Sequence, residues 1–195
     1  MLWLLIAGFS VTYLTVYLTG GRSIGQPLKT ATPMAPLEGD FSLAASNGTI
    51  FTAANLLDKP SVVFFGFTNC PDICPTGLLE LTELLEKLED QAGKLQVLFV
   101  AVDSQRDTQA VVSEYLTSFD PRIVGLTGST DEIDAAVKTF KAFYEIVPGT
   151  APDDYSVNHT AGMFLIDKQK RFVGKLDSHE SVEVRLAKLQ RLIAK

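Results

Sequence analysis

The sequence is poor in cysteine and histidine: its 195 residues contain two of each. Both cysteines fall in the segment FGFTNCPDICPTGLLEL (residues 65–81), as Cys70 and Cys74. A chain of this length can bury a sizeable core without a covalent staple. A disulfide across so short a loop would also remove little entropy from the unfolded chain. The scarcity of cysteine therefore argues against a stapled scaffold and directs attention to the chemistry of the pair.

The chain also lacks an excess of positive charge. It has 23 acidic and 17 basic side chains, a formal net charge of −6. Because a phosphate backbone requires a basic protein face, we expect no nucleic-acid partner. The sequence contains no internal repeat and no low-complexity tract, so the region beyond the N-terminal segment is interpreted as one domain.

Charge is missing altogether from the first 21 residues. This apolar run is close to the length that crosses a hydrocarbon core as a helix. A cleaved signal peptide is the main alternative, but the run has neither a basic leading region nor a clear A-x-A site. No cysteine follows it directly, which excludes a lipoprotein-type anchor. We expect residues 1–21 to be a retained, single-span membrane anchor.

Residues 22–40 contain three prolines and show no apolar period, which is typical of an extended linker. Arg22 and Lys29 would weakly favour a cytoplasmic location for the domain, but large domains translocate largely regardless of such charges. We therefore use the chemistry of the domain to predict on which side of the membrane it lies.

The domain, residues 41–195, alternates strand and helix patterns. Asn47-Gly48 between two short apolar runs predicts a hairpin, and the runs at 61–67 and 95–103 predict buried strands. A third strand lies near RIVGL, and a second hairpin (GMFLID, KQK, RFVGKL) precedes the last helix. The order hairpin, β-α-β-α-β-α, hairpin, helix predicts an α/β fold: a thioredoxin-like sandwich with a mixed central sheet.

Apolar residues spaced by three and four predict the buried faces of four helices. A Ser129–Glu132 capping box starts the third helix, and Gly93 is placed to end the first. The predicted faces are Leu78, Leu81, Leu85 and Leu88; Val111, Tyr115 and Phe119; Ile133, Val137, Phe140 and Tyr144; and Val182, Leu186, Leu189 and Ile193.

The two thiols lie where the first buried strand ends and the first of these helices begins. Functional groups collect at the carboxyl ends of strands in open α/β sheets. A residue that precedes proline is disfavoured in a helix, so we expect neither cysteine to be helical. Pro75 suits the first helical position, which makes Cys74 the expected N-cap. The partial positive charge of the helix N-terminus should then favour thiolate over thiol.

Three residues separate the thiols, a spacing that can close as a disulfide or hold both sulfurs around a metal. A metal needs a further ligand, and His159 precedes the hairpin strand at a junction expected beside the first helix's N-terminus. His179, before the last helix, is expected to be a solvated surface residue. Two thiolates and one imidazole leave an open position, unlike a closed structural zinc site. Soft sulfur favours Cu(I), and imidazole suits both copper oxidation states.

Four motifs of the domain resemble those of the Sco/SenC family of membrane-anchored copper proteins. They are FFGFTNCPDICP, VAVDSQRDT, IVGLTGSTDEI and DYSVNHTAGMFLID, in the family's order and at its intervals. The resemblance implies that Cys70, Cys74 and His159 bind copper, as Cu(I) or Cu(II). It implies a metallochaperone, not primarily an enzyme, that helps deliver copper to the dinuclear site of cytochrome c oxidase subunit II. The same thiols could reduce that subunit's cysteines, and other partners would be copper carriers or thiol reductants.

The sequence departs from the family at three positions. It has Asn69 where histidine is common, Ser104 where proline is common, and Asn158 where aspartate is common. Because Asn158 neighbours His159, its change could remove a carboxylate that tunes the imidazole.

Two alternatives remain open at this point. A metal-independent thiol–disulfide oxidoreductase would use the same pair and be indifferent to His159; a thiol peroxidase would need one peroxide-reactive cysteine. Asp72, between the thiols, could steer a cationic partner or raise the thiol pKa, and Asp103 ends the second buried strand on the same edge of the sheet. A capping or turn-forming role is the alternative for both residues. Copper handling and thiol cycling both favour an extracytoplasmic location. The N-terminus lacks an Arg-rich leader, which favours a bacterial inner membrane with the domain on the periplasmic or outer side.

Overall fold

The structure is a computed structural model that describes residues 35–150 and 154–194. The predicted anchor, residues 1–21, and most of the predicted linker lie outside the described residues. Within the two described ranges, no helix combines the length and the apolar character that crossing a membrane requires.

A seven-stranded mixed sheet forms the centre of the domain, in the order β2-β1-β5-β4-β3-β8-β9. Strands β3, β4 and β5 are parallel to one another, and the flanking strands pair antiparallel. The strands are β1 Ser42–Ala45, β2 Ile50–Thr52, β3 Ser61–Gly66, β4 Gln96–Ala101, β5 Ile123–Thr127, β6 Tyr144–Pro148, β7 Tyr155–His159, β8 Met163–Ile166 and β9 Phe172–Leu176. Both predicted hairpins, β1–β2 and β8–β9, are confirmed.

Within the described residues, four α-helices cover the sheet: α1 Ile73–Leu88, α2 Gln109–Leu116, α3 Thr130–Phe140 and α4 Val182–Ile193. The neighbouring phenylalanines of β3 show why both faces need cover, since successive strand residues point to opposite sides. Phe64 lies against Gly77 of α1, whereas the Phe65 ring lies 5.5 Å from the Phe140 ring of α3. All six residues of β3 are buried, as a parallel strand covered on both faces requires.

The start and the end of α1 differ from the prediction. Asp72 is the N-cap, so Cys74 lies inside the first turn instead of capping it. Proline is tolerated at position 75 because the first four N–H groups of a helix have no intrahelical partner, so a missing one costs little. The helix ends at Leu88, with Glu89 at φ 49°, and Gly93 lies in the 3₁₀ turn that comes next.

The other helices keep their predicted places but bury slightly different faces. In α2, Val112 and Leu116 are buried, whereas Val111 is 41% exposed. The Ser129–Glu132 capping box is present in α3, but Tyr144 belongs to the following strand because the helix ends at Phe140.

In α4, Arg185 replaces a predicted apolar contact. The buried residues of this helix are Arg185, Leu189, Leu192 and Ile193. The Arg185 guanidinium can be buried because its Nη1 donates to Glu80 Oε2 of α1, 2.6 Å away. A paired arginine also packs its aliphatic stem against apolar neighbours, which a pattern of apolar residues alone does not reveal.

Strands β6 and β7 form a separate two-stranded hairpin that the sequence did not predict. The side chains of β6 are mostly exposed, so the segment lacks the alternation of apolar and polar residues by which strands are recognised. The second strand of this hairpin ends at His159. The imidazole therefore sits on an element outside the seven-stranded sheet.

The chain joins the domain ahead of Phe41, the predicted first residue of the domain. Pro36 forms an isolated antiparallel bridge with Arg171, and the Leu37 N–H donates to the Lys170 carbonyl at 2.7 Å. Leu37 packs against the core.

Candidate metal centre

The two thiols meet where β3 leads into α1. Cys70 is half-buried on the connecting loop, and Cys74 is fully buried in the first turn of the helix. The backbone N–H of Cys74 points at Cys70 Sγ, 3.5 Å away. An N–H that the helix leaves without an intrahelical acceptor thus donates to the neighbouring sulfur, which holds the two sulfur atoms side by side without a disulfide.

Gly66, the last residue of β3, allows the Cys74 sulfur to lie close to the strand. A Cβ added there would come within 2.8 Å of Cys74 Sγ and 2.6 Å of the Phe99 ring. Both neighbours are fully buried and have little room to move in a close-packed interior. The glycine is therefore part of what places the second thiol.

His159, at the end of β7, completes the group. Its Nε2 lies 3.5 Å from Cys74 Sγ, and the ligand atoms of Cys70, Cys74 and His159 all lie within 4.8 Å of one another. The ring packs edge-on against Phe67, with 5.8 Å between the centroids. The structure thus brings together the three residues that the sequence singled out and leaves their sulfur and nitrogen atoms facing one another.

The imidazole is oriented to offer a lone pair. His159 Nδ1 lies 3.2 Å from the carbonyl oxygen of Thr160, and because a carbonyl oxygen can only accept, we assign the hydrogen to Nδ1. Burial lowers the pKa of His159 below its usual 6.5, although two backbone hydrogen bonds oppose the shift. The neutral ring then carries its lone pair on Nε2, toward the thiols.

The expectation that the helix N-terminus would favour a thiolate at position 74 is wrong for the metal-free protein. Burial raises the pKa of the Cys74 thiol far above its ordinary value, and the neighbouring Cys70 raises it further. Desolvation of a charged sulfur in the apolar interior is the largest cause of this rise in pKa, and a backbone hydrogen bond at Phe67 opposes it only in part. Cys74 is therefore a protonated thiol at neutral pH.

Two buried carboxylates lie at the same edge of the sheet. Asp107 accepts hydrogen bonds from the backbone N–H and the hydroxyl of Thr68, at 3.0 and 2.5 Å, and burial raises its pKa. Asp103 is bound by Arg106 and by the Tyr155 hydroxyl. The sequence pointed to Asp103 by its position after β4 but not to its partners, because Tyr155 is 52 positions away.

The three departures from the family pattern lie away from the imidazole's hydrogen bond. Asn158 is exposed and pairs in register with Glu145, so its side chain is on the opposite face of β7 from His159. Asn69 is exposed, and Ser104 shares a 2.9 Å hydrogen bond with Thr130. The imidazole is oriented by the Thr160 backbone, which substitution at position 158 leaves in place.

The remaining candidates stay outside the group. His179 is exposed in the turn before α4, where its N–H donates to Asp177. Asp72 is exposed at the N-cap of α1, and it accepts a long 3.4 Å hydrogen bond from Thr76. Both therefore behave as surface or capping residues.

Comparison with known proteins identifies the family of the chain. The SCO1/SenC family profile matches residues 29–194. The chain belongs to the SCO1/SenC family. Protein SCO1 from Saccharomyces cerevisiae mitochondria is 43% identical over 142 residues, which cover 72% of this chain and 48% of that protein. An SCO2-like protein of Rickettsia felis is 40% identical over 136 residues, covering 69% of this chain and 66% of that protein.

Solved structures of the family share the fold. Copper-bound ScoI of Bradyrhizobium japonicum is 38% identical, with a TM-score of 0.75 over 80% of this chain and 99% of that one. Copper-bound yeast Sco1 is also 38% identical, with a TM-score of 0.75 over 83% and 90%. The thioredoxin-like fold with a mixed sheet, predicted from the order of elements, is confirmed. The chain matches about half the length of the yeast SCO1 and SCO2 proteins.

Proposed function

We propose that this SCO1/SenC protein is a copper chaperone that binds copper through Cys70, Cys74 and His159. The observation that carries the proposal is the convergence of two sulfurs and one imidazole nitrogen within 4.8 Å of one another. This donor set suits Cu(I) and accepts Cu(II), whereas hard ions prefer oxygen. The copper-bound relatives, at 38% identity, support the choice of metal.

The two cysteines of the site differ in solvent exposure, which suits a protein that captures and releases a metal ion. Cys70 is half-exposed and Cys74 is buried, so a metal arriving from solvent meets Cys70 first. The neutral imidazole of His159 is ready to bind, whereas Cys74 must lose its proton as the metal enters. Three protein ligands leave a position open, through which a partner's thiol or imidazole can enter before the chaperone's own ligands leave.

The recipient that we propose is the dinuclear copper site of cytochrome c oxidase subunit II. This assignment rests on family membership and on the chemistry of the donor set. Residues 1–21 would anchor the chain in the inner membrane, as a single span with the domain on the periplasmic or outer side. The same thiols could reduce the cysteines of the recipient site, since copper transfer and thiol reduction use the same sulfurs.

Copper titration of the full-length chain, purified anaerobically in a mild detergent, tests the proposal. We expect one tightly bound Cu(I) per chain, and transfer of that copper to the metal-free soluble domain of oxidase subunit II. Cys74→Ser and His159→Ala should each weaken binding, while the matched surface change His179→Ala should not. Unchanged binding in a chain that carries both site substitutions would refute a copper site at these residues.

A thiol–disulfide oxidoreductase is the second candidate, favoured by the two free cysteines with one half-exposed and one buried. A half-exposed sulfur can attack a partner's disulfide, and the buried neighbour can then resolve the mixed disulfide. This function predicts reduction of a partner disulfide without copper and equal rates in wild type and His159→Ala. A rate that falls with loss of His159 would argue against a metal-independent activity.

A further inference from the structure

The strand that carries His159 does not pair with any strand of the central sheet, although Val157 of this strand is buried in the core. Within the described ranges, β6 and β7 hydrogen-bond only to each other as strands. Side chains of β7 alternate between inward and outward: Tyr155, Val157 and His159 are at least partly buried, whereas Ser156 and Asn158 are exposed. The position of the imidazole relative to the thiols therefore depends on what the inward side chains of β7 contact.

At the start of β7, Tyr155 contacts Arg106 and Asp103. The Arg106 guanidinium lies 3.7 Å from the centroid of the Tyr155 ring, and its Nη1 donates to the Tyr155 carbonyl at 3.1 Å. The Tyr155 hydroxyl donates to Asp103 Oδ1 at 2.7 Å. Asp103, which is 1% exposed, also accepts from Arg106 Nε. These contacts join the hairpin to the segment directly after β4.

The same guanidinium reaches toward the metal centre. Its central carbon lies 6.0 Å from the centroid of the Phe67 ring, and that ring packs edge-on against His159. Tyr155, Arg106, Phe67 and His159 thus form a continuous row of packed planar groups, which ends in the edge-on contact between Phe67 and His159. The guanidinium is flanked by the residue that starts β7 and by the ring that supports the ligand at its end.

We propose that Arg106 and Tyr155 form a latch that holds the β6–β7 hairpin against the domain and thereby positions His159 Nε2 over the two sulfurs. They are positioning residues and touch no metal. The inference builds on the proposed copper site, because it concerns how that site acquires its nitrogen ligand. Groups that orient metal ligands typically affect metal affinity by about 10–100-fold.

Arginine is needed at position 106 for its shape as well as its charge. Its planar fork can bind Asp103 through Nε, bind the Tyr155 carbonyl through Nη1 and stack on the ring at the same time. Lysine would keep a positive charge beside the buried carboxylate but offers a point charge on a flexible stem. Arg106→Lys therefore loosens the latch, while the lysine still provides a positive charge beside Asp103.

Hydrogen exchange on the metal-free full-length chain tests the latch itself. We expect Arg106→Lys and Tyr155→Phe to speed amide exchange in β6 and β7 and to leave the central strands β3 and β4 unchanged. Arg122→Lys is the matched control, since Arg122 forms a similar pair with Asp120, 2.6 Å away, outside the hairpin. Exchange in the hairpin that is as slow in both latch variants as in the wild type would overturn the inference.

Copper-binding measurements then test whether the latch affects the metal site by positioning His159. Arg106→Lys should weaken copper affinity about tenfold or more and reduce the nitrogen coupling in the Cu(II) electron paramagnetic resonance spectrum. Tyr155→Phe, which keeps the stack but loses the hydroxyl, should have a smaller effect. In a His159→Ala background, Arg106→Lys should change affinity no further, and an undiminished loss there would overturn the positioning role. Absence of copper binding in the wild type would instead refute the proposed function, and the exchange experiment would still decide on the latch.

Discussion

A methyl group added at Gly66 should displace the buried thiol of the metal centre. The new Cβ of Gly66→Ala would lie 2.8 Å from Cys74 Sγ and 2.6 Å from the Phe99 ring, and ordinary contact begins at 3.4 Å. Both neighbours are fully buried, so neither can move into solvent. The sulfur must therefore shift by several tenths of an ångström, or β3 and α1 must separate.

The loss of stability caused by Gly66→Ala can be estimated from the effect of overpacking in other protein cores. Extra methyl groups in a well-packed interior typically cost about 1–3 kcal/mol. Each kcal/mol lowers the melting temperature of a chain of this size by about 2–4 °C, so we expect Gly66→Ala to lower it by roughly 2–12 °C. Displacing a ligand atom should also weaken copper binding by about tenfold or more, as loss of a ligand-orienting group does.

Thermal unfolding and competitive copper titration measure the two effects together. Gly93→Ala is the matched control, because a Cβ there meets nothing within 4 Å and the residue lies in the 3₁₀ turn after α1. The control should keep wild-type stability and affinity. Gly66→Ala that melts and binds copper as the control does would refute the idea that the glycine places Cys74.

Three further predictions concern protonation and capping. Because burial raises the pKa of Cys74, iodoacetamide at pH 8 should alkylate Cys70 well before Cys74 in the metal-free chain, as mapped by mass spectrometry; faster labelling of Cys74 would contradict this. Burial lowers the pKa of His159, so the unfolded chain binds more protons below about pH 6.5 and the free energy of unfolding should decrease as the pH is lowered through this range. In urea unfolding, this decrease should be smaller for His159→Gln than for the wild type. An equal decrease in both proteins would mean that another group causes it. Ser129→Ala removes the cap of α3 and should cost about 1 kcal/mol without changing copper affinity; a lowered affinity would connect α3 to the site.

Most of the central architecture could be predicted because burial leaves a pattern in the sequence. The run at β3 is apolar throughout since both of its faces are covered, and the Asn47-Gly48 turn is marked by Gly48 at φ 84°. The β6–β7 hairpin could not be predicted in this way. Its first strand is mostly exposed, and its position depends on side chains of the segment after β4.

The residues of the candidate site could be predicted because the order of strands and helices determines which of them come together. Cys70 and Cys74 are neighbours in sequence, and His159 reaches them because its strand ends at the carboxyl edge of β3. The protonation of Cys74 was predicted wrongly since desolvation depends on packing by Gly66 and the core. The Arg106–Tyr155 contact joins residues 49 positions apart, and such pairs leave no local signal in one sequence.

X-ray absorption at the copper edge of the Cu(I)-loaded full-length chain tests the central claim most directly. We predict a first shell of two sulfur atoms and one nitrogen atom, and the loss of that nitrogen in His159→Ala with both sulfurs retained. A first shell that contains sulfur alone in the wild type, or that does not change in His159→Ala, would contradict a copper site built from Cys70, Cys74 and His159.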